Sequence, residues 1–191
     1  MNGYDFDKTI LKGNSVRRFY LYCSVRLPYL WLLSLNLPFI FILYGLRIIK
    51  KDALLHALEW FIFFVPRRQR FVARFWDKNY KHVQQWYLEA KRPDDIVISA
   101  SPDFLIKEIC SRLGVACIAS PTGKHGVVVG KHCYGVHKVT MYRNRFGDAE
   151  LETFYSDNMS DAPMFKIAKR GYLVKGTEIT QVYEGGKLIG A

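Results

Sequence analysis

From Leu27 to Leu46 the chain carries no charged side chain. A helical run of about 20 such residues is just long enough to cross the hydrocarbon of a bilayer. Arg17, Arg18 and Arg26 precede the run, and Arg47, Lys50 and Lys51 follow it. A second apolar stretch, Leu54 to Val65, contains His56 and Glu59 and is too short to span easily. Both lie in a block, residues 14–90, that reads almost entirely as helix. Its turn signals are few: Pro28, Pro38, Gly45 and Pro66.

Beyond Arg92-Pro93-Asp94-Asp95 the pattern changes. Ile96–Ser99 is a short β-branched run, as a strand buried in a parallel sheet requires. Phe104–Leu113 has helical spacing and stops at Gly114, and Val115–Ala119 reads as a second buried strand. Gly123, Gly126 and Gly130 around Val127–Val129 give a hairpin-like signal. Lys138–Phe146 reads as helix, Glu152–Tyr155 as strand, Met164–Lys169 as helix and Tyr172–Val174 as a last strand. The chain also opens on a short strand ending at Asp5-Phe6-Asp7. Strands alternating with helices predict an α/β core with a parallel sheet, interrupted after its first strand by a helical insert. Ligands of such sheets gather at the carboxyl ends of the strands.

The 191 residues suit one compact domain, or a core with a modest insertion. Half are hydrophobic, which excludes a disordered chain. The formal charge of +11 favours anionic partners, and Arg67, Arg68, Arg70 and Arg74 concentrate it locally. No stacking platform or groove-reading motif accompanies the charge, so nucleic acid is not an expected partner. Cys23, Cys110, Cys117 and Cys133 form no C-x-x-C pair, and His125, His132, Cys133 and His137 lack zinc spacing. Asp5, Asp7 and Lys8 interrupt any secretory start, which points to a cytosol-facing chain with reduced thiols.

Four clusters can carry chemistry. Asp5 and Asp7, two residues apart at a strand end, bring two carboxylates close. A shared divalent cation relieves their repulsion, and aspartate oxygens with retained water suit Mg2+. One carboxylate can then act as nucleophile and the other as proton shuttle. The same pair also suits a solvated turn. Ser99 ends a strand ahead of a helix, a favourable place for phosphate, although Ser101 before Pro102 also reads as an ordinary N-cap. Lys138 enters a helix near the sheet edge, where it can neutralise a phosphoryl group or simply face solvent. Asp157 and Asp161 follow a strand at a spacing of four, and serve equally as helix-start acids.

In order and spacing these clusters together resemble the four motifs of the haloacid dehalogenase superfamily. Tyr4–Ile10 looks like the first, Ser99 the second, Lys138 the third, and Asp157 with Asp161 the fourth. The stretch from Gly130 through Cys133 and Gly135 to Lys138 looks like the phosphoserine-phosphatase-type subclass, as does a helical cap between motifs one and two. The resemblance covers residues 1–12 and 92–175. It implies a Rossmann-like three-layer core, residues 1–12 and 92–191, with an all-helical cap, residues 13–91. It further implies a Mg2+-dependent phosphomonoester hydrolase. Asp5 would form an aspartyl-phosphate while Asp7 protonates the leaving group and then activates water. Mg2+ would be held by Asp5, Asp7 (through its carbonyl) and Asp157. Ser99 and Lys138 would bind phosphoryl oxygens, Thr9 would support the phosphoryl site, and Asp161 would orient Lys138. The chain departs from the pattern at Lys8 and Ser156, positions where relatives often carry Gly, and at Val136-His137 before the lysine.

The motif residues lie on both sides of the 27–46 run and must meet in one site, so the chain crosses a bilayer an even number of times or not at all. With one run of full length, a shallow hairpin or helices lying in the interface fit better, on the inner face of the membrane. Trp31, Trp60, Tyr29 and Tyr44 suit interfacial anchoring. A cap packed only on the core is the alternative. The expected substrate is a phosphorylated metabolite if the cap stays dry. If the cap meets lipid, it is a lipid phosphate such as phosphatidylglycerophosphate, whose bacterial phosphatases in this superfamily the chain resembles somewhat. Phosphoryl transfer to an acceptor other than water is a further alternative on the same scaffold.

Overall fold

The computed structural model describes residues 1–189, so the last two residues of the expected core, Gly190 and Ala191, fall outside it. A seven-stranded sheet runs in the order β3-β2-β1-β4-β5-β6-β7. Its strands are β1 (Asn2–Tyr4), β2 (Ile96–Pro102), β3 (Ala116–Ser120), β4 (Leu151–Ser156), β5 (Ala168–Lys175), β6 (Glu178–Glu184) and β7 (Lys187–Leu188). The first five pair in parallel, and β6 and β7 add antiparallel strands at one edge. This is the expected Rossmann-like α/β architecture, with the helical block inserted between β1 and β2.

Strand periodicity sorts side chains to the two faces. Val97 joins a core on one face with Tyr4, while its neighbours Ile96 and Ile98 join a second core on the other with Phe154. Helix α7 (Asp103–Leu113) covers the first face. Its buried residues Leu105, Ile106, Ile109, Cys110 and Leu113 form one stripe, and Gly114, at φ +70°, ends it in the left-handed region. Helices α8 (Val136–Phe146) and α9 (Ala162–Ile167) cover the second face through Tyr142, Met164 and Phe165.

Register is fixed by an aromatic ladder. Tyr4, Tyr155 and Tyr172 sit opposite one another on β1, β4 and β5, their rings stacked at 4.8 Å in both steps. The Asp5 amide then donates to the Tyr155 carbonyl (2.8 Å), which aligns the carboxyl ends of β1 and β4.

Six helices occupy the insert: α1 (Ser15–Arg26), α2 (Tyr29–Leu33), α3 (Leu37–Gly45), α4 (Lys51–Glu59), α5 (Arg68–Asn79) and α6 (Gln85–Ala90). Asn14 caps α1 by accepting from the Arg17 amide (2.8 Å). The insert shares the first core: Phe19 and Phe75 meet edge to face at 5.3 Å, and Trp76 lies against Phe6 at 5.8 Å. The Trp76 indole also donates to the Leu105 carbonyl (2.9 Å), joining α5 to α7. Buried Glu59 and His132, 3.2 Å apart, tie α4 to the loop before α8.

The uncharged run is divided by a 3-10 turn, Ser34–Asn36, and among the described residues no helix is long and apolar enough to cross a membrane. Two expectations need correction. Residues 121–134 fold back through a single bridge, Thr122 to Val128, and a Gly123–Val127 bond, without forming strands. The helix expected over Met164–Lys169 stops at Ile167, where β5 begins, and the β6–β7 hairpin was not anticipated. Trp76 is wholly buried, so Trp76→Ala should cost about 3–5 kcal/mol. Urea unfolding would show this as a lower midpoint at an unchanged slope.

Candidate active site

Asp5 directly follows β1 and Asp157 directly follows β4, whereas Ser99 lies within β2, two residues beyond the Val97 that pairs with Tyr4, and β2 runs three residues past it. Asp5 is almost wholly buried. Its Oδ1 accepts from Lys138 Nζ at 2.6 Å, and the same ammonium reaches Asp161 Oδ2 at 2.6 Å. Lys138 is 2 % exposed, in the first turn of α8. Gly135, at the N-cap with φ +54°, turns the chain into that helix. A lone lysine that is normally a surface residue is here the buried centre of an ion triad.

Two carboxylates share this one ammonium, so a negative charge remains uncompensated. Burial pushes the Asp5 carboxyl up to about 7, against the pull of Lys138 and helped by Asp161 and Asp7. Burial works against the charge of Lys138, but Asp5 and Asp161 outweigh it and raise its pKa. Asp157 is half-buried and is also raised by desolvation, with Lys8 and Lys175 opposing the shift.

Asp7 is held from the insert and from β2 together. Its Oδ1 takes the Ser15 amide (2.6 Å), and its Oδ2 takes the hydroxyls of Ser101 (2.6 Å) and Ser15 (3.1 Å) and the Asn14 amide group (3.4 Å). Burial raises the Asp7 pKa, and the bonds from Ser101 and Ser15 pull it partly back. The carboxyl thus keeps a proton to higher pH than an exposed aspartate.

Ser99 is buried, and its Oγ accepts from the Ser101 amide (3.2 Å), leaving its own proton to donate. Thr9 is buried with an unpartnered Oγ1, while its carbonyl takes the Gln84 side chain (2.8 Å). Ser101 is not the N-cap of α7, because β2 runs on to Pro102 and the Ser101 hydroxyl goes to Asp7 instead. Ser15, Asn14 and Ser101 were not among the expected site residues. Their only sequence signal is a hydroxyl or amide beside an element boundary. Ser156, a departure from glycine, donates to Asp161 Oδ2 (2.8 Å) and so fixes the carboxylate that holds Lys138.

The donor set suits a small hard cation. Asp5 Oδ2 and the Asp157 carboxylate take no protein donor among the described residues, and the surplus charge is negative. Among those residues no three His, Cys, Asp or Glu side chains form a ready cage. Mg2+ needs none, since it binds through one or two carboxylates and keeps its waters.

Removing the shared cation would strand two buried carboxylates. Lys138→Met should therefore destabilise the protein by about 3–5 kcal/mol at pH 8. The Asp5 pKa, already raised, rises further in that variant, so its folded form gains stability on protonation. The deficit should shrink as pH falls from 8 to 5, which thermal melts of variant and parent at both pH values would reveal.

The model of the haloacid dehalogenase-like hydrolase family matches residues 3–166. No curated protein matches the chain. Among solved structures, a protein of unknown function from Bordetella pertussis Tohama I is similar over 90% of this chain and 87% of its own, with a TM-score of 0.73 at 15% identity. A HAD family hydrolase from Salmonella enterica serovar Typhi is similar over 87% of this chain and 59% of its own, with a TM-score of 0.52 at 12% identity. At those identities the two structures speak to the fold alone. The family match spans β1 through α9 and every charged residue of the site, and the chain belongs to the haloacid dehalogenase-like hydrolases.

Proposed function

We propose that the chain is a Mg2+-dependent phosphomonoester hydrolase, with residues 1–12 and 92–191 as its catalytic core and residues 13–91 as a cap of the phosphoserine-phosphatase type. The observation that carries this reading is the pairing of two aspartates in different surroundings. Asp5 is oriented by the Lys138–Asp161 couple with Oδ2 left free, and Asp7 is desolvated and clasped by Ser15 and Ser101. Two carboxyls with distinct surroundings can divide nucleophile and acid between them.

In this mechanism Asp5 Oδ2 attacks phosphorus as the ester P–O bond breaks, and the leaving oxygen takes its proton from Asp7. Asp7, now a carboxylate, accepts a proton from water, whose oxygen attacks the aspartyl-phosphate. Phosphate leaves and Asp5 is regenerated. Ser99 donates to a phosphoryl oxygen, and Lys138 offsets its charge. Thr9, with its buried hydroxyl unpartnered, supports the phosphoryl site. Asp5, Asp157 and the Asp7 carbonyl would hold Mg2+, which supplies charge neutralisation at the phosphoryl group. Asp161 positions Lys138.

Turnover of p-nitrophenyl phosphate should require added Mg2+, vanish with EDTA and return on resupply. Asp5→Asn should lower it by about a thousandfold or more, and full activity in that variant would overturn the mechanism. Asp7→Asn should cost about 10²–10⁴-fold on an alkyl phosphate. The loss should be smaller on the nitrophenyl ester, whose leaving group needs no acid. For the parent enzyme, alkyl phosphate turnover should fall as pH rises through the elevated pKa of Asp7, since the acid form is then lost.

A further inference from the structure

Helix α3 is apolar on every side, yet none of its nine residues is buried. A helix of that composition normally lies inside a protein or in lipid. With α2 and the turn between them it presents many exposed apolar side chains. Leu32 is 72 % exposed, Leu35 77 % and Leu46 66 %, and Trp31, Phe39 and Ile42 lie open beside them. The Tyr29 hydroxyl donates to the Phe64 carbonyl (2.6 Å), which brings exposed Phe63 and Phe64 to the same end. Soluble monomers rarely leave so much apolar side chain open in one place.

Charge indicates what covers it. Residues 8–51 contain eight Lys or Arg and no Asp or Glu. A second copy of this chain would bring the same cations against them, whereas an anionic lipid surface complements them. Exposed Tyr29, Trp31 and Tyr44 suit the headgroup boundary. Helices of five and nine residues are too short to cross a bilayer and long enough to lie along it.

The surface is also joined to the site. A pocket of about 590 Å³ is lined by Asp7 and Ser101, by the charged Arg17 and Glu59, and by the apolar Leu37, Phe41 and Leu58. Leu37 and Phe41, four residues apart, share one side of α3. Phe39 and Ile42, spaced by three, point away from them and are exposed, and Phe41 is itself half exposed. A single helix therefore lines the pocket and also carries part of the exposed apolar face.

We propose that α2 and α3 dock the protein on an anionic bilayer and that the pocket takes the apolar chain of a lipid monophosphate, with its phosphate at Asp5. The docking half stands on exposure and charge. The substrate half rests on the phosphomonoesterase reading.

Flotation with vesicles of mixed phosphatidylglycerol and phosphatidylcholine tests the docking half without turnover. The protein should float with them and much less with phosphatidylcholine alone. Phe39→Ser with Ile42→Ser should reduce binding by about tenfold or more, with the melting temperature and p-nitrophenyl phosphate turnover unchanged. Parent protein that stays unbound, or a double variant that binds as well as the parent, overturns docking. So does a lipid-free dimer that the same two changes dissociate, since the face then belongs to a second copy. For the substrate half, kcat/KM on lysophosphatidic acid should exceed that on glycerol phosphate by at least about tenfold. Equal values overturn the lipid assignment and leave the hydrolase standing. Inert protein on both and on p-nitrophenyl phosphate overturns the hydrolase and the lipid substrate together, while flotation still decides docking.

Discussion

Lys138 buries an ammonium group, which is costly unless carboxylates meet it directly. The two that do, Asp5 and Asp161, come from positions 133 residues before it and 23 after it. The triad thus closes only when β1 has entered the sheet between β2 and β4, and when α8 and the turn after β4 have packed on one face. One ion cluster therefore reports on the whole α/β assembly. It also leaves a carboxylate in excess. The constraint that joins the fold is the one that orients Asp5, the proposed nucleophile.

The insert is tied into the same arrangement by a second carboxylate. Asp7 is reached from α1 by Ser15 and from β2 by Ser101, whose hydroxyls also meet each other at 3.0 Å. Helix α1 therefore begins at the chemistry, and everything it leads to is positioned from there. Lys8, between Asp7 and Thr9, sits at φ +62°, a left-handed conformation that glycine adopts without strain and lysine does not. The lysine charge acts on Asp157 and accompanies the strain.

Much of the α/β core was legible because its strands are buried on both faces and its helices have clear ends. Ile96–Ser99 is continuously apolar up to its serine, and Gly114 stops α7 where expected. The edge hairpin was not legible. Across β6 only Tyr183 is buried, so the pattern lacks a buried face, and a polar edge strand resembles a loop. Met164–Lys169 misled in another way: Met164 and Phe165 do face the core from a helix, but Ala168 continues the buried pattern from a strand. At the site, the charged residues stood out through their order along the chain. Ser15 and Ser101 did not, since their bond spans 86 residues and each alone is an ordinary small polar residue.

The apolar block that begins the chain's departure from an ordinary α/β protein has two distinct halves in space. Phe19, Phe61, Phe75 and Trp76 are consumed by the shared core, so composition alone overstates how much apolar surface is left over. Of α2 only Leu30 enters that core, and no residue of α3 is buried; the 3-10 turn Ser34–Asn36 separates the two helices. Had this stretch been one straight helix, its length would have suited spanning. Broken, it presents aromatic and aliphatic side chains sideways, over a pocket that reaches Asp7. Residues 8–51, which include α2 and α3, carry eight Lys or Arg and no acid, so the segment that supplies the exposed apolar side chains is also basic. The basic, apolar insert and the carboxylate-rich site are thus opposite in charge, which is the contrast the proposed lipid docking and the proposed cation site each draw on.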